Sequence, residues 1–172
     1  MITVYYWAPH ISALNVGHAS LAIGVGQAKG LERYVSWWPG PGESSLIKGQ
    51  PISLRTYEID VKAEGGPPVG TVSMSGLDEA QMKRAWDHML ANNPRYSLQR
   101  KNCAWTVKSI LDVGTGYDFG AAASDFINLR VAGGVWTPRA VFEYARLLKS
   151  RYDSKAKRFE NATNDAYNLR IS

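Results

Sequence analysis

Short runs of β-branched and aromatic residues, with apolar and polar positions alternating, occupy the first part of the chain and predict β-strands. In the run that begins at His18, this residue falls on the opposite face from Leu21 and Ile23. Glycines such as Gly24 and Gly26 mark turns between runs, so the first strands are expected to form an antiparallel hairpin or meander. The predicted strands are 2–7, 18–23, 33–38, 52–61 and 69–74.

From residue 77 onward, apolar side chains such as Met82 and Trp86 recur at helical spacing. Asn102 is a good N-cap for one helix, and Thr137 followed by Pro138 marks the start of another. The predicted helices are 77–92, introduced by a capping box at Ser75 and Asp78, then 103–113 and a last one beginning at 137–138. A loop over 118–134, with a helical turn over 124–129, separates the last two, and the polar tail after Tyr152 is expected to be loosely held.

Strands come first and helices follow, without an internal repeat or a linker, which predicts an α+β fold. We expect helices packed on one antiparallel sheet in a single domain over residues 1–172, with a polar tail from about residue 153. Hydrophobic residues make up 45% of the 172 positions, enough for a core without disulfides or a structural metal. The single cysteine excludes an intrachain disulfide.

The chain carries a net charge of +5 with a pI of about 9.3, which favours acidic partners. Lys and Arg are spread along the chain and no nucleic-acid motif is present. We therefore expect no nucleic-acid partner, although a non-enzymatic binding module with a basic face stays open as an alternative. No apolar run approaches the roughly 18 residues of a membrane span. The N-terminus lacks the pattern of a Sec signal peptide, so any export is expected to use another route.

The one thiol, Cys103, directly follows the predicted N-cap Asn102 and lies in the first turn of a helix. Free backbone N–H groups and the helix dipole favour a thiolate there, and Arg100 and Lys101 add positive charge nearby. The same N–H groups are suited to hold an oxyanion when a carbonyl is attacked. A lone cysteine is also often a small buried hydrophobe, so its position alone does not establish a nucleophile.

A nucleophilic thiolate needs a base or an imidazolium partner from elsewhere in the fold. His18 is the best candidate, because it opens a strand on the face shared with Ser20. His10 lies in a loop and is a weaker candidate, and His88 is expected to face solvent from a helix. A surface or core position is the alternative for any one of them.

The run 17–23 (GHASLAI) resembles the His strand of circularly permuted papain-like families, among them permuted relatives of the NlpC/P60 peptidases and the lecithin–retinol acyltransferase type. Tyr96 followed by 102–104 (NCA) is similar to the Cys motif of these families. The segment 34–39 (YVSWWP) resembles one found after the His strand in bacterial secreted toxins and effectors of this type. The resemblance covers residues 1–111 and implies a permuted papain-like fold, with the His strand before the Cys helix and a catalytic Cys103–His18 pair.

These families usually have a third polar residue that orients the imidazole through its second nitrogen. Here the resemblance implies Ser36, an unusual residue for this role, and Glu32 and Asp60 are the acidic alternatives. A place at the sheet edge is the other interpretation of Ser36. Asn102 is expected to cap the helix that forms the oxyanion site. The residues expected to line the substrate cleft are Tyr34, Trp37 and Tyr96, with a core position as the alternative for Trp37.

The resemblance implies a cysteine-dependent hydrolase that cleaves an amide or peptide bond through a thioester, without cofactor or metal. A deamidase or an acyltransferase using the same pair is the alternative. It also implies a bacterial toxin or effector, delivered by a specialised route such as type VI secretion into the periplasm or cytosol of a recipient cell. A protein or a peptidoglycan peptide is then the expected substrate, and a cognate immunity protein the expected partner.

Overall fold

A computed structural model of the chain describes residues 1–10, 16–26, 32–40, 48–49, 51–52, 56–116 and 134–168. In chain order the strands are β1 (Ile2–Trp7), β2 (His18–Ile23), β3 (Arg33–Val35), β4 (Trp38–Pro39), β5 (Lys48–Gly49), β6 (Pro51–Ile52), β7 (Gly70–Met74) and β8 (Tyr96–Ser97). The helices are α1 (Tyr57–Ala63), α2 (Glu79–Asn92), α3 (Cys103–Gly114) and α4 (Pro138–Asn168). The predicted helical turn over 124–129, and the predicted loop over 118–134 apart from its last residue, lie outside the described residues.

Four strands form one antiparallel sheet in the order β3-β2-β1-β7. The first three follow the chain as the expected meander, and β7 returns to pair with the other side of β1. Strands β1 and β2 pair from Ile2 opposite Ile23 to Trp7 opposite His18, so His18 lies at the end of this pair. Helices packed on one antiparallel sheet confirm the predicted α+β class.

The hydrophobic core lies between this sheet and the helices α2, α3 and α4. The strand residues Val4, Leu21 and Val35 are fully buried, as the alternation along their strands requires. The helices add Met82 and Trp86 from α2, Val107, Ile110 and Leu111 from α3, and Val141, Tyr144 and Leu148 from α4. Fully burying an aliphatic side chain contributes roughly 1.5–3 kcal/mol. Packing of α3 on β2 therefore holds together the two elements that carry Cys103 and His18.

The strand predicted over 52–61 is wrong, because α1 begins inside this range. Thr56 starts the helix, and its side chain accepts a hydrogen bond from the backbone N–H of Ile59. Glu58 and Asp60 add acidic side chains to the first turn, where the helix dipole favours them. These capping interactions outweigh the β-branched composition of the segment, and the helix carries Asp60 into the interior.

The strand predicted over 33–38 ends at Val35. The chain leaves the sheet at the next two residues and continues as β4, which pairs with β6 instead of β2. This break lets neighbouring tryptophans face different surroundings. Trp37 is buried against Trp86 of α2, with ring centroids 6.0 Å apart, whereas Trp38 is half-buried elsewhere.

The last helix is longer than the sequence pattern predicted. Helix α4 runs through Asn168, beyond Tyr152, after which we expected a loosely held polar tail. No glycine or proline interrupts the chain between Pro138 and the end of this helix, so the backbone contains no helix-breaking residue there.

Gly17 holds the turn that leads into His18. Its φ is +80°, in the left-handed region that favours glycine. A Cβ at this position would lie 2.6 Å from the carbonyl oxygen of Trp7 and 3.0 Å from the backbone nitrogen of Pro9. Both the backbone conformation and the close approach of β1 therefore require glycine.

Replacing Gly17 with Ala is expected to destabilise the fold more than the same change at Gly26. Gly26 has a similar φ of +82°, but nothing lies within 4 Å of a Cβ there. Gly26→Ala should lower the free energy of unfolding by about 1–2 kcal/mol, the cost of a left-handed backbone conformation for a residue with a Cβ. Gly17→Ala should lower it further, because the new Cβ must also displace the Trp7 carbonyl. Urea unfolding of both variants measures the difference. Equal losses of unfolding free energy would show that the close approach has no energetic consequence.

Candidate active site

The start of helix α3 is fixed by the side chain of Asn102. Its Oδ1 accepts a hydrogen bond from the backbone N–H of Trp105 at 2.8 Å, which makes it the predicted N-cap. Its Nδ2 donates to the carbonyl oxygens of Leu98 and Trp136, both at 2.8 Å. The amide thus ties the helix start to the preceding turn and to the segment before α4. Cys103, the first residue of the helix, is held in place as a result.

His18 is buried at the end of β2, with 2% of its surface exposed. Its Nε2 lies 3.1 Å from Asp60 Oδ2 and 3.1 Å from Ser36 Oγ. Interaction with the Cys103 side chain is one of the causes that raise the pKa of His18, so these two side chains are neighbours. Because Nε2 faces Asp60 and Ser36, Nδ1 is the ring atom left for the sulfur. The fold therefore brings Cys103 and His18 together, which the sequence alone left undetermined.

Asp60 has no exposed surface, and both oxygens of its carboxylate accept hydrogen bonds. Oδ2 lies 2.7 Å from the Tyr34 hydroxyl, which donates to it, and 3.1 Å from His18 Nε2. Oδ1 accepts from Ser36 Oγ at 3.1 Å and from Trp38 Nε1 at 2.9 Å. A buried carboxylate is stable only with such partners, so this cluster holds Asp60 in its ionised form.

Aromatic rings enclose the imidazole of His18. The ring of Trp38 stacks on it with centroids 4.3 Å apart and planes inclined by 29°. The ring of Trp7 lies 5.7 Å away on the neighbouring strand. An imidazolium is stabilised by the negative face of an aromatic ring. Trp38 therefore contacts both members of the His18–Asp60 pair, one through its ring and the other through its N–H.

The charges of His18 and Asp60 stabilise each other. Burial acts to lower the pKa of His18, but hydrogen bonds to Asp60 and Cys103, together with their charges, raise its pKa to about 9. Burial acts to raise the pKa of Asp60, but His18 and the hydroxyls of Tyr34 and Ser36 bring this pKa below its ordinary value. At neutral pH His18 is thus an imidazolium paired with the Asp60 carboxylate.

Two backbone N–H groups at the start of α3 are available to bind an oxyanion. Among the described residues, those of Cys103 and Ala104 have no hydrogen-bond acceptor, because the first N–H groups of a helix lack intrahelical partners. The third N–H of the helix is already bonded to Asn102. A negative oxygen formed by attack of the sulfur on a carbonyl is therefore matched by donors next to that sulfur.

Some of the residues predicted from the sequence lie in the cluster around Asp60, and others lie outside it. Tyr34 and Ser36 lie in the cluster, both bonded to Asp60. Tyr96 is buried beside α3, where burial and then the charge of Cys103 raise its pKa. Trp37 does not line a cleft: it is 1% exposed and lies in the core, because the strand break turns it toward α2.

The remaining candidates lie away from the cluster. Glu32 is exposed, and its Oε1 accepts a hydrogen bond from the backbone N–H of Gly26 at 3.2 Å. His10 and His88 are both exposed. Within the described part of the chain, no group of three or more His, Cys, Asp or Glu side chains is arranged to hold a metal ion.

The sequence pattern gave too little weight to Asp60 and favoured Trp37 over Trp38 of the adjacent pair. Asp60 was one of two acidic alternatives to Ser36, in a segment predicted to be a strand. The signal that identifies the helix is Thr56 followed by acidic residues in its first turn, with Gly65 shortly after its end. For Trp38 the sequence holds no comparable signal, since its contacts depend on the strand break after Val35.

The family model of the IcsB middle domain matches residues 1–64 and, in a second overlapping segment, 51–167. The chain belongs to the IcsB middle domain family. His18, Asp60 and Cys103 all lie within the matched residues. No solved structure matches the chain.

This member of the IcsB middle domain family is also similar to parts of two proteins named Multifunctional-autoprocessing repeats-in-toxin. It is 33% identical over 115 residues, or 65% of the chain, to the one from Vibrio cholerae serotype O1. It is 33% identical over 97 residues, or 55% of the chain, to the one from Vibrio vulnificus. The chain spans about 2% of the length of either toxin. Both relatives are named as toxins and come from Vibrio species. In the part of the chain that the structure describes, no helix has the length and apolar character needed to cross a bilayer.

Replacing Asp60 with Asn is expected to lower the pKa of His18, because burial continues to oppose the positive charge after its carboxylate partner is lost. NMR titration of the imidazole, assigned with His18→Gln, measures the change. Tyr34→Phe is the matched control: it removes one donor to Asp60 but keeps the carboxylate, so the pKa of His18 should stay above 6.5. The same titration curve in Asp60→Asn and wild type would contradict the ion pair.

The contribution of His18 to stability is expected to depend on pH. Because its pKa is about 9 in the folded chain against an ordinary 6.5, the contribution is complete below 6.5 and is lost as the pH rises through 9. The contribution of Asp60 to stability has the opposite pH dependence. Because its pKa is lowered in the folded chain, this contribution is lost as the pH falls below 3.8. The difference in unfolding free energy between wild type and His18→Gln should therefore narrow from pH 6.5 upward. A constant difference across this range, in urea unfolding, would be inconsistent with a raised pKa.

Proposed function

We propose that the chain is a thiol-dependent enzyme in which Cys103 is the nucleophile, His18 the acid and base, and Asp60 the residue that orients the imidazole. The observation that carries this proposal is the buried, continuous array of the three side chains at the junction of β2 and α3. A thiol, an imidazole on one side of it and a carboxylate beyond are the groups that nucleophilic acyl transfer requires. The order of the elements, with the His strand before the Cys helix, supports a permuted papain-like arrangement.

The proposed reaction begins when the sulfur of Cys103, its proton held by His18, attacks an amide or peptide carbonyl. The new S–C bond pushes the carbonyl electrons onto oxygen, and the N–H groups of Cys103 and Ala104 stabilise that oxyanion. His18 then gives its proton to the leaving amine as the C–N bond breaks, which leaves a thioester on Cys103. Finally His18 takes a proton from water as the water oxygen attacks the thioester carbonyl. The C–S bond then breaks, which releases the acid and restores the sulfur of Cys103 beside the protonated His18.

The orienting role belongs to Asp60 rather than to Ser36 in this proposal. Both lie 3.1 Å from His18 Nε2, but only the carboxylate compensates the imidazolium charge. Ser36 donates to Asp60 and accepts from Trp38, so it links the carboxylate to the neighbouring ring. We therefore assign Ser36 a supporting place in the hydrogen-bond network.

Hydrolysis, deamidation and acyl transfer all pass through the same thioester intermediate. They differ only in the group that Cys103 attacks and in the final acceptor of the acyl group. Hydrolysis of an amide is our first assignment. Acyl transfer to an amine or hydroxyl, and deamidation of glutamine, are the alternatives that the same array allows. The relationship to Vibrio toxins supports an activity directed at a recipient cell, delivered by a specialised route. A protein or a peptidoglycan peptide is the proposed substrate, and an immunity protein the proposed partner in the producing cell.

Cys103 is expected to react with iodoacetamide at pH 7 about tenfold faster in wild type than in His18→Ala, because the imidazolium favours the reactive thiolate. Mass spectrometry of the labelled chain follows the rate. His88→Ala is the matched control, since it removes an exposed histidine and should leave the rate unchanged. A thiol that reacts slowly in both His18→Ala and wild type would make Cys103 a core residue and favour the non-enzymatic binding module.

The acceptor is identified in a second step. p-Nitrophenyl acetate is offered with and without an added amine: release of p-nitrophenol follows acylation, and the acetyl product identifies the acceptor. Cys103→Ala corrects for reaction at lysines and for direct reaction with the amine. A free acid as the only product supports hydrolysis. An amide of the added amine supports an acyltransferase.

A further inference from the structure

The indole of Trp38 contacts both members of the buried ion pair at once. Its Nε1 lies 2.9 Å from Asp60 Oδ1 and 2.9 Å from Ser36 Oγ, so one N–H is shared between two acceptors. Its ring stacks on the imidazole of His18, with centroids 4.3 Å apart and planes inclined by 29°. Because the N–H lies in the plane of the ring, a rotation of the indole that breaks one contact also weakens the other.

The backbone of Trp38 is linked to the side of the site that carries Cys103. Strand β4 pairs with β6, with Trp38 opposite Ile52. Just before β6 the chain forms β5, which pairs with β8, the strand that precedes the turn into α3. Strands β5 and β6 therefore connect the strand of Trp38 to the entry of the helix that begins with Cys103.

The two contacts of Trp38 favour the two ionised forms. The titratable groups that act on His18 are the Asp60 carboxylate from α1 and the Cys103 thiol from α3. Tyr34 of β3 faces Asp60 in turn and donates a hydrogen bond to it. Trp38 adds an uncharged contact to each member of the pair. Its ring face stabilises the imidazolium, and its N–H stabilises the carboxylate.

We propose that Trp38 is a positioning residue: its ring holds the imidazole of His18 in the orientation that serves Cys103, and its N–H holds the Asp60 carboxylate. This inference rests on the proposed function. The imidazole must present Nδ1 to the sulfur while Nε2 faces Asp60, and a ring stacked on it opposes rotation out of that orientation. Trp38 thus acts through His18 and Asp60 rather than on the reacting atoms.

Two substitutions separate the ring contact from the N–H contact. Trp38→Phe keeps an aromatic ring over the imidazole but removes the N–H, whereas Trp38→Leu removes both. Trp38→Phe should raise the pKa of Asp60 and should not lower that of His18. Trp38→Leu should also lower the pKa of His18 by about 0.5–1 unit, the shift that corresponds to one cation–π contact. NMR titration measures both groups, with His18→Gln and Asp60→Asn to assign the signals.

The positioning role is measured at Cys103 by a double-mutant cycle. The rate of alkylation by iodoacetamide at pH 7 is compared in wild type, Trp38→Leu, His18→Ala and the double variant. We expect Trp38→Leu to slow alkylation about threefold in the presence of His18, because the lost ring contact no longer favours the productive orientation. In the His18→Ala background the same change should have no effect, since Trp38 acts through the imidazole. Trp38→Phe should keep most of the wild-type rate.

The matched control is the neighbouring tryptophan. Trp37 is 1% exposed and packs against Trp86 in the core, away from the ion pair. Trp37→Leu should lower the free energy of unfolding, because it removes a large buried side chain. It should leave the pKa of His18 and the alkylation rate of Cys103 as they are in wild type. The control therefore separates positioning from a general loosening of the fold.

Several outcomes would overturn the inference. Equal rate losses from Trp38→Leu with and without His18 would show that Trp38 does not act through the imidazole. An unchanged or raised pKa of His18 in Trp38→Leu would show that the ring does not stabilise the imidazolium. Losses of the same size in Trp37→Leu would assign the effect to stability. If Trp38→Leu does not fold, an unchanged pKa of Asp60 in Trp38→Phe still contradicts the role of the N–H.

Failure of this inference is distinguishable from failure of the proposed function. An alkylation rate that is the same in wild type and His18→Ala counts against the proposed function, and the positioning role falls with it. A rate that depends on His18 but not on Trp38 counts against the positioning role alone.

Discussion

The buried negative charge of Asp60 is the constraint around which the site is organised. An ionised carboxylate removed from water costs several kcal/mol unless it is paired and fully hydrogen-bonded. The partners of Asp60 come from β2, β3, β4 and from Ser36, which lies between the last two strands, so these segments must converge on α1 for the chain to fold. The same convergence holds His18 as an imidazolium, because a buried positive charge needs that carboxylate as much as the carboxylate needs it.

The break in the strand after Val35 follows from this requirement. A regular strand would place Ser36 and Trp38 on one face and Trp37 on the other, all paired with β2. Leaving the sheet instead directs two donors to Asp60 and moves the Trp38 ring onto His18. Trp37 then packs against α2 on the opposite side. The lost pairing with β2 is offset by hydrogen bonds to a buried charge, which are stronger than those between neutral groups.

The proposed chemistry depends on groups that the fold holds around one sulfur. In the proposed reaction, His18 and the N–H groups at the start of α3 act on the atoms that react, and His18 is buried in the fold. The Asn102 side chain ties the start of α3 to the preceding turn and to the segment before α4, which holds Cys103 in place. Reacting groups that are held in place in this way need no further ordering when a substrate binds.

The sequence by itself determined the features that depend on local interactions. Alternation predicted β1 and β2, and Asn102 before Cys103 predicted the start of α3, because both patterns act between residues close in the chain. The pairing of Cys103 with His18 was a hypothesis based on the strand position of His18 and on a family resemblance. The tertiary structure alone decided that Asp60, rather than Ser36, carries the charge facing His18, and that Trp38, rather than Trp37, reaches the site. Those contacts join residues about twenty to forty positions apart, and their energy comes from burying opposite charges together, which no local pattern encodes.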